Sequence, residues 1–494
     1  MLFHQTDSIM RTILFCCGIA LAQTAFCQEQ LGLRLENYAG VSSLSLNPAG
    51  NLSNPLAWDV NLVGAGFFFE NNYAYLQQTN LPELWRRRND AEFILAKDIE
   101  GQPPANAFIA DFYDDGRKRY AALSSIVMGP SVVVKIQDKH SFGIFTNFRS
   151  VESTKNIPNP YSYYRYDERP LGEEFSVAPF EGAFLSWSEI GLNYALKIPT
   201  SNGAIGFGAN LRFLRGHEAA FLESQTGFGH VRLSKDAFSV SHADTRIGYT
   251  NSSLDGEDFN LEKNGSGVAL DLGVLLLAQV DEDGYKFRLG ASLLDLGYLK
   301  FNKNARLHHI QSDSLIQINA SNYEDYAADE HENFMRQLSF EALGDSLASF
   351  ENDAFTMALP AALSLQADYA FTPNFFLNAL LVQEIPTVAI APRRGNLLAL
   401  TPRFEHRWFS ASLPVSVYNW KKMHVGLAAR LGWLVVGSDN IASIFGRQDF
   451  TGTDFYIALK VNPFNLNLNL GGGGNGGNGK RRFGGKGKVK CYDF

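Results

Sequence analysis

The chain has 494 residues, a formal net charge of −8, 45% hydrophobic, 13% aromatic and 19% charged residues. A mean hydropathy of −0.12 excludes a polytopic helical membrane protein, which needs repeated apolar runs of about 18 or more residues. Charge this sparse and aromatics this frequent exclude disorder, and an acidic chain offers little to nucleic acid.

Residues 1–27 read as a cleaved leader. Arg11 precedes an apolar run over residues 12–22, and Ala25-Phe26-Cys27 leads to Gln28 as the mature start. Cleavage there removes Cys16, Cys17 and Cys27, so Cys491 alone remains and no internal disulfide forms. Residues 28–56 are irregular. Pro48 holds Asn47 in extended or turn geometry, and Asn51, Ser53, Asn54 and Pro55 discourage helix and strand alike.

From residue 57 the dominant period is two. Ile190, Leu192, Tyr194, Leu196 and Ile198 alternate with Glu189, Gly191, Asn193, Ala195 and Lys197. After Pro199–Gly203 the pattern resumes with Ile205, Phe207, Ala209, Leu211 and Phe213. This predicts a hairpin with one apolar face and one small or polar face. Similar stretches fall at 57–69, 73–79, 120–136, 141–150, 268–280, 285–299, 361–371, 375–384, 397–408, 411–419, 423–436 and 453–462, with a further strand near 240–250. They exceed the usual strand length of about 5–6 residues and suit a tilted bilayer crossing. The expectation is an all-β, transmembrane antiparallel β-barrel of about 14 strands (range roughly 12–16) over residues 57–462. Aromatics near strand ends, including Trp58, Phe67, Phe68, Phe69, Tyr73, Trp187, Trp408, Tyr418, Trp420, Trp433 and Tyr456, are read as interfacial girdles. The long connections 80–119, 151–186, 217–266 and 300–359 do not fall on one face with this set of strands. Residues 463–494 form a Gly-rich tail carrying Lys480, Arg481, Arg482, Lys486, Lys488 and Lys490.

Glu189, Lys197, Arg212 and Asp271 stand opposite the apolar residues of their strands, and Asp295 lies two residues before Gly297. All five are predicted to face the lumen, filling it with ion pairs or setting selectivity. No His-Glu-x-x-His, Cys-x-x-Cys or Gly-x-Ser-x-Gly occurs. Gly474–Lys480 begins like a phosphate loop, but Arg481 stands where Ser or Thr belongs. His308, His309 and His331 read as loop residues rather than metal ligands. No catalytic residue, cofactor or metal is expected.

Three stretches carry a resemblance: Tyr38–Ala49 with its Asn-Pro-Ala, Gly267–Gly273 followed by Leu289–Gly297, and Arg430–Asn440 leading into Thr453–Lys460. Together they resemble an uncharacterised Bacteroidetes outer-membrane barrel family, a domain of unknown function similar to FadL/PorV-type barrels. The resemblance implies a Gram-negative outer-membrane location and an N-terminal plug with Asn47, Pro48 and Ala49 in its turn. An ordinary periplasmic turn before the first strand stands beside that reading. Two functions follow. One is passive passage of a hydrophobic or small organic solute. The other is a scaffold that docks secreted or surface proteins, without transport. The expected partners are outer-membrane lipid, such a solute, or a surface or secretion-system protein. A transporter predicts an apolar pocket beneath the plug. A scaffold predicts a filled lumen and large structured loops on one face.

Overall fold

A computed structural model describes residues 29–463, except 90, 105, 162–165, 167–168, 252–260, 282–283 and 324–330. The leader, the glycine tail with its phosphate-loop-like stretch, and all four cysteines lie outside the described residues.

Fourteen antiparallel strands form one closed wall. In chain order they are β1 (Trp58–Asn71), β2 (Arg119–Met128 and Ser131–Ile136), β3 (His140–Ile157), β4 (Glu181–Thr200), β5 (Gly203–Ser224) and β6 (Ala243–Thr250 and Gly265–Asp281). Next come β7 (Gly284–Phe301 and Ala305–Ser312), β8 (Phe350–Asn352, Phe355–Ala358 and Ala362–Ala370), β9 (Phe375–Glu384) and β10 (Leu397–Glu405). The last are β11 (Phe409–Ser412 and Val415–Tyr418), β12 (Lys422–Val425 and Leu427–Leu431), β13 (Leu434–Ser438) and β14 (Gly452–Val461). Closure is made by β14 pairing back onto β1, from Val60↔Val461 to Glu70↔Gly452. A closed wall leaves no strand edge to be solvated by lipid.

The alternation decides which face meets which medium. On β4 Ile190, Leu192, Tyr194 and Ile198 are exposed, while Glu189, Asn193 and Ala195 are buried. The same split holds on β5 (Phe207, Leu211 and Phe213 against Asn210 and Arg212) and on β6 (Val268, Leu270, Leu272 and Val274 against Asp271). The outside is therefore an apolar belt and the inside is polar, the inverse of a soluble domain. Among the described residues no helix is long and apolar enough to cross a membrane; the crossing is made by strands. At the turn end of the belt the outward rings of Phe287, Tyr369 and Phe371 meet in series at 5.1 and 4.8 Å, as do Phe375, Phe404 and Phe409 at 4.9 and 5.4 Å. Four aromatics expected in the girdles, Phe68, Trp187, Tyr418 and Tyr456, are instead buried inside.

Two strand assignments are corrected, and the errors cancel in the count. Residues 73–79 are not wall: Ala74–Thr79 belongs to a separate four-stranded sheet with Gln448–Phe450, Ala107–Phe112 and Glu92–Leu95. Conversely, 423–436 is two strands, because Gly432 adopts φ 58° and reverses the chain between β12 and β13. A two-residue turn within an unbroken apolar run leaves no gap for sequence reading to find. With both corrected, the wall has short turns at one end and all the long connections at the other, the usual asymmetry of such barrels.

The long connections build a cap. A second four-stranded sheet, Glu174–Val177, Phe228–Arg232, Ala237–Ser241 and Ile316–Asn319, packs with the helix His331–Leu343 around Val240, Ile310 and Ile316. His308, His309 and His331 thus sit on β7 and that helix rather than in a loop.

The inner segment, residues 29–57, runs inside the wall. It holds α1 (Leu31–Arg34) and two short 3₁₀ turns, Gly40–Ser45 and Gly50–Ser53. Leu31, Leu35, Leu46, Ala49 and Leu52 are wholly enclosed. Irregular backbone at membrane depth is tolerable only where protein surrounds it.

Candidate functional site

The inner segment is held by wall strands around the barrel. Asn47 sits in the turn between the two 3₁₀ stretches. Its Oδ1 accepts from Ala49 N at 2.9 Å and its Nδ2 donates to Val274 O on β6 at 3.0 Å. Asn193 Nδ2 on β4 donates to Pro48 O at 2.9 Å, and Ser292 Oγ on β7 to Leu46 O at 2.6 Å. The turn lies this close because the facing wall is glycine. A Cβ on Gly208 would stand 2.4 Å from Pro48 C, and one on Gly273 2.3 Å from Asn47 Oδ1. Across the lumen Tyr456 Oη on β14 accepts from Gly32 N at 2.9 Å, and Arg430 on β12 donates to Glu36 at 3.0 Å. Asn47, Pro48 and Ala49 are thus buried within the barrel rather than lying in a solvated turn below it.

Four of the five predicted lumen charges meet in one network. Arg212 donates to Glu189 at 2.9 Å and to Asp271 at 2.7 Å, and approaches Asp295 at 2.9 Å. Asp295 also takes a two-pronged pair from Arg149 at 2.6 and 3.1 Å. It enters the lumen through a bulge: the β6–β7 register shifts beside it and its φ is 58°. That extra residue turns both Leu294 and Asp295 inward. Trp187 donates to Glu189 at 3.0 Å and carries Arg149 over its ring at 4.7 Å. Lys197 is the exception. It faces Asp138 at 2.7 Å beside the β2–β3 turn, at the lower rim and apart from the network.

A second network fills the other side. Asp368 accepts from Arg288 at 2.6 Å, from Arg403 at 3.0 Å and from Tyr285 at 2.9 Å. Arg288 also donates to Leu35 O at 2.8 Å, and Glu405 accepts from Asn37 N at 3.1 Å. Charges excluded from bulk water are tolerable only when paired in this way.

Above the inner segment the connection 385–396 folds back into the barrel. Arg394 clasps Glu29 at 2.8 and 3.0 Å and reaches Asp295 at 3.0 Å. Arg393 pairs with Glu384 at 2.7 Å, and its N–H donates to Ser153 Oγ on β3 at 2.7 Å. Between this strap and the inner segment lies a cavity of about 60 Å³. Arg34, Arg149, Arg212 and Arg394 line it together with Glu152, Glu189, Asp271 and Asp295, and Phe68, Ile126, Phe145, Val151 and Leu294 add apolar lining. Beside it the wall is interrupted. Gly129–Pro130 breaks β2, and Pro130 has no N–H for the ladder. Opposite, β1 shifts register between Asn61 and Val63. An apolar cluster of Val41, Leu44, Met128, Val133 and Phe145 fills the space between this break and the inner segment.

Sequence reading missed Arg149, Arg394 and Glu29. Arg149 shares its face with Phe145 and Asn147, a signal that Phe148 on the other face obscures. Arg394 lies in a connection where no period applies. Among the described residues no group of three His, Cys, Asp or Glu is placed to hold a metal. His308 stacks on Tyr249 at 5.9 Å, and His309 pairs with Asp244 at 2.8 Å.

Residues 48–439 match a family of unknown function, DUF5723. The chain belongs to this family. The match spans the turn at Pro48, every strand of the wall up to β13, and the strap. No curated protein matches the chain. Among solved structures it is similar to the Pseudomonas putida toluene transporter TodX, with 10% identity, a TM-score of 0.41 and coverage of 86% of this chain and 94% of that one. The Ralstonia pickettii toluene transporter TbuX gives 9%, 0.28, 86% and 94%. A Pseudomonas aeruginosa FadL homologue gives 10%, 0.24, 85% and 93%. The barrel assignment rests on the strand pairing and belt described above.

Proposed function

We propose that this DUF5723 chain is a gated outer-membrane barrel passing a small amphipathic organic solute, with the inner segment as its plug. The observation that supports this reading is the cavity of mixed lining between inner segment and strap. Its charged side chains suit a polar end of the solute, and Phe68, Ile126 and Phe145 suit an apolar one. The break at Gly129–Pro130 supplies an interrupted stretch of wall beside it. The buried inner segment, held to strands on both sides of the wall, fills the lumen in the described form. Passage then requires the inner segment or the strap to move, and no chemical step is involved.

A second reading is a docking scaffold. The lumen filled with ion pairs and the folded cap on one face favour it. One experiment separates the two. Asn51 Nδ2 and Ser141 Oγ lie 2.9 Å apart across the inner segment and β3. A cysteine pair, Asn51→Cys with Ser141→Cys in a Cys491→Ser background, locks the segment to the wall when oxidised. In proteoliposomes, uptake of a medium-chain carboxylate is expected under reducing conditions and blocked on oxidation. Uptake absent in both states would sink transport and leave the scaffold.

A further inference from the structure

The outer rim of the barrel carries a built arrangement of arginines and rings that the lumen does not use. Above β13 the chain leaves the wall and forms α4 (Ala442–Phe445), numbered after α1, α2 (Leu81–Arg87) and α3 (His331–Leu343). On β14 Asp454, Tyr456 and Lys460 point inward, so Thr453 points outward. Its hydroxyl lies 2.8 Å from Ser443 Oγ, and Ile441 N donates to Val425 O on β12 at 2.8 Å. These two contacts fasten α4 to the outside of the wall, directly above the belt residues Ile457 and Leu459. The second helix, α2, packs against α4, and Asn80 Nδ2 donates to Gly446 O at 3.1 Å. Asn80 also caps α2 by accepting from Glu83 N.

The two helices present Trp85, 62% exposed, and Phe445, 79% exposed. Around them stand Arg86, Arg88 and Arg447, all exposed. Among the described residues none of these three arginines is in an ion pair, whereas Arg87 of the same run is taken by Glu83 at 3.1 Å. Arg88 lies over the Trp85 ring at 4.5 Å and donates to Trp85 O at 2.8 Å. That orients its guanidinium without neutralising it. Large exposed rings on a soluble surface are costly, but at a bilayer boundary they enter the interface, and basic side chains beside them meet the lipid phosphates.

We propose that the α2–α4 rim is a docking site for the phosphorylated headgroup of an anionic outer-leaflet lipid. Arg86, Arg88 and Arg447 contact phosphate, and Trp85 and Phe445 enter the acyl boundary. The occupant follows from charge complementarity and from continuity with the apolar belt. It is independent of whether the lumen transports anything.

The test uses the intact, folded barrel in detergent and native mass spectrometry, titrated with a diphosphorylated lipid A or with neutral phosphatidylcholine. The wild type is expected to bind lipid A selectively. The triple variant R86Q/R88Q/R447Q is expected to lose on the order of 100-fold, from about 1 kcal/mol per basic side chain near a charged surface. A control, Arg117→Gln, removes an exposed arginine already facing Asp115 at 3.5 Å and should bind like the wild type. Folding of each variant is read from heat-modifiable migration, since these positions lie outside the wall. Equal binding of lipid A by the wild type and the triple variant would overturn the proposal, as would equal binding of lipid A and phosphatidylcholine. Full displacement of lipid A by millimolar inorganic phosphate would overturn the lipid as the source.

Discussion

Arg212 shows how a single side chain can hold the lumen together. It faces three carboxylates that are themselves buried. Arg212→Ala is expected to cost about 3–5 kcal/mol, the range for breaking a buried ion pair on one side. Arg212→Lys should recover only part, because an ammonium lacks the planar fork that meets two acceptors at once. Denaturant unfolding of the barrel in lipid measures both; Ala and Lys variants as stable as the wild type would refute the assignment. Much of this cluster was legible beforehand. Glu189, Arg212 and Asp271 betray themselves by standing opposite apolar neighbours at period two. Asp295 breaks that period because it sits in a bulge, and only the nearby glycine hinted at it. Lys197 obeys the period as well as Glu189 does, but pattern gives the face and not the depth, and the rim is where it lies.

Among the elements, the cap sheet has its own polar weak point. His230 is buried between Phe175 and Phe238, at 4.8 and 4.9 Å, with the hydroxyls of Tyr161 and Tyr166 at its two ring nitrogens. Burial, then the charges of Arg169 and Arg232, push its pKa down to about 4. The folded cap therefore prefers the neutral ring, while the unfolded chain takes up the proton near pH 6.5. The stabilisation is complete above about pH 6.5 and is lost as pH falls toward 4. The protection factors of the amides in Phe228–Arg232, that is exchange corrected for the intrinsic rate at each pH, should fall between pH 7.5 and 5, and His230→Phe should flatten that dependence. Identical protection factors at the two pH values in the wild type would contradict this. Elements of this kind were the hardest to read from sequence. Ala74–Thr79 alternates as a wall strand does, and only its partners, brought from residues 107–112 and 448–450, reveal that it stands above the membrane.

At the scale of the whole molecule, wall and inner segment are one electrostatic unit. Arg288, Glu405, Arg430 and Lys460 on four strands all have partners within residues 29–57 or beside them. A chain lacking residues 29–56 is expected to form a less stable barrel with raised conductance in planar bilayers. A folded barrel of unchanged conductance would show that the segment is not what closes the lumen. The architecture was legible because a membrane barrel writes one rule on every strand, and fourteen repetitions average out local errors. The seating of the inner segment was not, because it depends on glycines such as Gly208 and Gly273, whose contribution is an absent side chain. The closure of β14 onto β1 carries a further consequence. Residues 29–57 emerge before any strand, yet they end inside a wall whose final seam waits for residues 452–461. The seam between first and last strands is therefore also what shuts the inner segment in, and a chain that stopped before residue 452 would leave that segment beside an open sheet.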